Sequence, residues 1–69
     1  MNWRQLSGPV RYRTDDRAYQ VHEIYTADGV RFRAIQCACL RATPIGEPRE
    51  SAEAARDDAE AFAAKVMPC

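Results

Sequence analysis

A single histidine, no glycine-rich phosphate loop and no G-x-S-x-G turn are found among the 69 residues. Those absences remove the commonest routes to phosphate cradling and nucleophilic hydrolysis. Apolar runs are short, and nowhere do about eighteen apolar residues follow one another, so no segment reads as a membrane-spanning helix. The opening Met1-Asn2-Trp3-Arg4-Gln5 lacks the apolar core of a secretion signal, and the expectation is a cytoplasmic protein. Neither sign of charge is in excess, since ten basic side chains cancel ten acidic ones. Large apolar side chains are also few, because 12 of the hydrophobic residues are alanine. One domain is all this length allows. Its core is worth only about 3–5 kcal/mol, so a chain of this kind usually leans on a staple or a partner.

Cysteine is scarce and odd in number: Cys37, Cys39 and Cys69. That suits a reducing compartment better than a disulfide framework. In an extended strand, Cys37 and Cys39 have Cβ atoms too far apart to be bridged without distortion. One C-x-C, one histidine and one further cysteine fall short of four zinc ligands at their usual spacings. No metal and no cofactor is therefore expected, and the thiols read as small hydrophobes. The one chemical alternative is a Cys–His dyad or partial metal site from His22, Cys37 and Cys39, which alternate onto one strand face. His22 and Glu23 are adjacent in a strand, point to opposite faces, and cannot form an acid–base couple. No nucleophile, base and orienting group can be assembled. No catalytic residue is assigned, and the protein is not expected to be an enzyme.

What is present is strand and helix pattern. Ser7-Gly8-Pro9 is a turn signal closing a lead-in over 1–8. Val10 to Thr14 alternates apolar and basic residues, and Tyr19 to Tyr25 is rich in aromatic and β-branched types, so both read as strands. Asp28-Gly29 between such runs signals a type I′ hairpin. A third strand follows from Val30 to about Leu40. With Asp28-Gly29 as the loop, Tyr25 faces Phe32 and Val21 faces Gln36. Tyr12, Tyr19, Val21, Tyr25, Phe32, Ala34 and Leu40 then form the covered side. Residues 41–50, with Pro44, Gly46 and Pro48, read as a loop. Ser51 is an N-cap. Beyond it Ala52, Ala55, Ala59, Phe62, Ala63 and Val66 form one stripe of a helix over 51–66. Glu53–Arg56 and Arg56–Glu60 are spaced to pair along its outer face. The expected fold is one α+β domain: a three-stranded antiparallel meander over 10–40, then a C-terminal amphipathic helix packed on one face.

Tyr12-Arg13-Thr14, Tyr19, His22-Glu23-Ile24-Tyr25 and Asp28-Gly29 together resemble a group of short, uncharacterised bacterial proteins. These carry a Trp near the start, a Y-R-T strand, an I-H-E-V-Y strand, a D-G hairpin and a G-E-S-type entry to a final acidic helix. The likeness covers most of residues 3–62 and is most specific from His22 to Gly29. It departs at Gly46-Glu47-Pro48-Arg49-Glu50-Ser51, where the group passes directly into its helix. The resemblance implies a fold and a bacterial, cytoplasmic setting, and no activity. The order of sheet then helix is also similar to small antitoxins.

Charge is unevenly placed: residues 1–45 carry +3 and residues 46–69 carry −3. The strands put Arg11, Arg13, Arg31 and Arg33 with His22, Ile24 and Ile35 on the face away from the helix. Two uses of that face follow. The first is self-association, as a homodimer, or capture of a protein partner, by a non-enzymatic interaction module whose open sheet face or strand edge needs covering. The alternative is a nucleic-acid-binding or antitoxin-like regulator using the same arginines on phosphate. Zero net charge counts against the alternative.

Overall fold

The computed structural model of the chain describes residues 2–38 and 40–65. Cys39, Val66 and Cys69 lie outside the described residues. Strands β1 (Trp3–Gln5), β2 (Val10–Thr14), β3 (Tyr19–Thr26), β4 (Gly29–Ala38) and β5 (Arg41–Arg49) form one antiparallel meander in chain order, followed by helix α1 (Ala52–Lys65). The α+β class and the helix on one sheet face are as expected. The sheet, however, has five strands and not three.

Both added strands are edges. Within the lead-in, Trp3 pairs with Thr14 and Gln5 with Tyr12. The supposed loop over 41–50 runs as β5, with Pro44 opposite Ile35 and Ile45 opposite Ala34. Proline is excluded from central strands because it cannot donate to a neighbour, but an edge strand can turn that missing N–H to solvent. Gly46, at φ 66°, lies where the register breaks between Phe32 and Ala34.

The hairpin register is shifted two residues from the expected one. Thr26 pairs with Gly29, Tyr25 with Val30, Glu23 with Phe32 and Val21 with Ala34. A type I′ turn needs positive φ at both central residues, yet here only Gly29 has it, at 113°. Ala27-Asp28 is therefore the loop. The Thr26 hydroxyl closes it, donating to Gly29 O at 2.9 Å and accepting from Asp28 N at 3.2 Å. Because the shift is even, every side chain keeps its face.

Tyr19, Val21, Ala34, Ile45, Ala52, Ala55 and Ala59 form the buried core, with Trp3, Tyr12, Phe32, Phe62 and Ala63 packed around it. Two residues assigned to the covered side are not covered. Tyr25, one pair from the hairpin turn, is 79% exposed, and Leu40 is fully exposed at a turn with φ 61°. Ser51 caps the helix as expected, its Oγ accepting from Ala54 N at 3.1 Å. The outer-face pairs of Arg56 do not form. Its guanidinium instead covers the Tyr12 ring at 4.9 Å. Asp58 pairs with Arg49 of β5 at 3.3 Å.

Candidate binding face of the sheet

Since α1 packs against one side of the sheet, the other side is left uncovered. The pairings Arg13↔Gln20↔Ile35↔Pro44, His22↔Arg33 and Ile24↔Arg31 align residues of that face row by row. Six of the seven residues singled out from the sequence stand there together: Arg13, His22, Ile24, Arg31, Arg33 and Ile35.

Arg11 does not join them. The β2–β3 register jumps between Val10 and Tyr12, a bulge that gives Arg11 no opposite residue and turns it to the helix side. There its guanidinium binds the Glu23 carboxylate, through Nε at 2.8 Å and also through Nη2, and lies 5.9 Å from the Phe32 ring centre. Tyr25 donates its hydroxyl to the same carboxylate at 2.6 Å. That hydrogen bond, then Arg11, holds the Glu23 pKa below its usual value. Arg11 also lines a cleft of about 330 Å³ between the sheet and the start of α1, with Tyr12, Phe32 and Ser51. Val10 moves the opposite way and lies across from His22. No alternation rule could have revealed this, because Val10-Arg11-Tyr12 reads as regular strand.

Gln20 lies on this face as its place in the strand alternation implies, and Arg4 and Pro44 are further members that the sequence reading missed. Three residues of β1 are too few to show alternation, and β5 was masked by its prolines. Arg4 pairs with Asp15 at 2.7 Å at the rim. By contrast Arg13, Arg31 and Arg33 have no carboxylate partner among the described residues. The sole acid on β2, β3 or β4 is Glu23, on the helix side. The Nε–H groups of Arg13 and Arg33 are covered by the protein and find no acceptor within it. A covered donor without an acceptor costs about 1–3 kcal/mol.

His22 makes a 2.6 Å contact from Nε2 to Gln20 Oε1, and burial pushes its pKa down. Cys37 shares this face, four positions along β4 from Arg33, the partner of His22. At about 3.3 Å per residue that is roughly 13 Å. His22 and Cys37 are thus too far apart for a dyad. No group of three or more potential metal ligands gathers among the described residues. No helix among them is long and apolar enough to cross a membrane.

The aromatic residues Trp3, Tyr12, Tyr19, Tyr25, Phe32 and Phe62 all belong to the helix side of the sheet or to the helix itself. Exposed acids Glu53 and Asp57 stand on the outer side of α1. Charge is therefore sorted across the molecule, basic on the bare sheet face and acidic on the far side of the helix. Compared with known proteins, the chain matches no family model, no curated protein and no solved structure.

Proposed function

We propose that this protein is a non-enzymatic binding module whose working surface is the uncovered sheet face, and that its partner there is anionic. The observation that carries this is the set Arg13, Arg31 and Arg33 beside His22, on a face to which β2, β3 and β4 contribute no carboxylate. A two-fold dimer through this face would set arginine against arginine, since an isologous interface brings each patch onto its own copy. Strand addition is opposed as well: β1 has three residues, and β5 carries two prolines and a register break, all devices that blunt an edge. Self-association has one remaining form, the basic face of one copy on the Glu53 and Asp57 side of the next. Those surfaces lie on opposite sides of the molecule, so the contact repeats into a stack and does not close as a dimer. A foreign anion needs none of this.

Chromatography on immobilised heparin tests the reading. Wild-type protein is expected to be retained at low salt and released as salt rises. Arg31→Gln/Arg33→Gln should pass through, and Glu53→Gln/Asp57→Asn should be retained as wild type or longer. Wild-type protein that flows through at low salt would overturn the proposal.

A further inference from the structure

We infer that the anionic partner is double-stranded DNA, entered along its major groove by the β3–β4 hairpin; this rests on the proposed role of the open face. The first observation is what that face lacks. Single-stranded nucleic acid is held by stacking bases on aromatic rings, and every Trp, Tyr and Phe of this chain is on the helix side or in the helix. The one ring on the open face, the His22 imidazole, is half-buried and engaged with Gln20 Oε1, which leaves no free platform for an unpaired base.

The second observation is shape. β3 and β4 are eight and ten residues long, and past the pairs Val10↔His22 and Phe32↔Arg49 their hairpin over residues 24–31 has no third strand paired beside it. A two-stranded ribbon has backbones about 4.8 Å apart, and the major groove of B-form DNA, about 12 Å wide, admits such a ribbon. The major groove of A-form RNA is too deep and narrow.

The third is chemistry. Arg31 faces Ile24 on the free part of the hairpin, and Arg33 and Ile35 follow it along β4 on the same face, where the sheet widens. Arginine donates to guanine O6 and N7 or to phosphate, and apolar side chains meet thymine methyl groups. Arg13, one strand aside on β2, is placed for the phosphates of the groove wall. Net neutrality is no obstacle to this, because the helix acids stand a helix diameter (~10 Å) behind the sheet, beyond the screening length of ~8 Å at physiological salt.

The test is fluorescence anisotropy with four probes: a mixed-sequence 16-base-pair DNA duplex, its single strand, the RNA duplex of the same sequence, and poly-glutamate. The DNA duplex should bind tightest. Three cations brought against it displace about three counterions, so affinity should fall roughly 40-fold between 50 and 200 mM salt. For Arg31→Gln/Arg33→Gln the same change of salt should cost only about 3–4-fold, with an unchanged circular dichroism spectrum showing the fold intact. Single-stranded DNA or duplex RNA bound as well as duplex DNA would overturn the groove assignment. Tighter binding to poly-glutamate would overturn DNA in favour of an acidic protein, leaving the anionic reading in place. Failure of every probe, with no retention on heparin, would remove both.

Discussion

The indole of Trp3 donates its Nε1–H to Glu60 Oε2 at 3.0 Å, across 57 positions of the chain. This bond ties the first strand to the helix, and the Trp3 ring meets Tyr12 edge-on at 6.3 Å. With Arg56 over Tyr12 and Arg49 on Asp58, α1 is fastened to both margins of the sheet. Trp3→Ala should therefore release β1 and lower stability by about 2 kcal/mol, less than for a fully buried ring. Trp3→Phe, which keeps a ring and loses the donor, should cost about 1 kcal/mol or less. Urea unfolding followed by circular dichroism measures both, and a Trp3→Phe variant as stable as wild type would deny the indole bond any part.

Ser51→Ala removes the acceptor for Ala54 N at the start of α1. A loss of about 1 kcal/mol is expected, with most of it restored in Ser51→Asp, which can accept the same hydrogen bond. The same unfolding curves read this out.

Acid should weaken the β2–β3 turn. The Asp16 carboxylate accepts from Thr14 Oγ1 at 2.6 Å and from Ala18 N at 3.0 Å, and these donors, Thr14 foremost, hold its pKa below the usual 3.8. A carboxylate whose folded pKa is depressed stabilises the fold above its unfolded pKa, and that contribution is lost as pH falls through the folded value. The melting temperature should thus drop below about pH 4. Asp16→Ala should start lower at pH 7 and show a shallower fall. An identical pH dependence in the variant would rule Asp16 out as a source.

Gly29 holds φ at 113° in the β3–β4 turn, a conformation that side chains disfavour. Gly29→Ala should destabilise by about 1 kcal/mol or more. Asp28→Ala should cost less, because Asp28 is not among the positive-φ residues. Reversal of that order would mean the loop is not Ala27-Asp28.

Much of this architecture was legible in the residues. The faces of β3 and β4 followed from alternation and survived a two-residue error in register, because an even shift preserves them. The alanine stripe and its Ser51 cap announced α1 within a residue of where it begins. β1 and β5 were hidden for opposite reasons: the first is too short to show a period, and the second breaks propensity rules that bind central strands more tightly than edges. Six residues of the candidate face came from alternation alone. Arg11 was misplaced because a bulge is set by the geometry of the neighbouring strand and leaves no mark on local hydrophobicity.

Ala52, Ala55 and Ala59 are the buried residues of the helix. Alanine has no rotamers to freeze, so burying this stripe costs no side-chain entropy. It also means that methyl groups alone set the distance between the two layers. A longer side chain at any of the three would lift the whole helix and not merely crowd its own site. Trp3 would then part from Glu60, Arg56 from Tyr12 and Arg49 from Asp58 in a single movement. The stripe works as a spacer, and in so small a protein its thickness decides whether those three fastenings can be made at all.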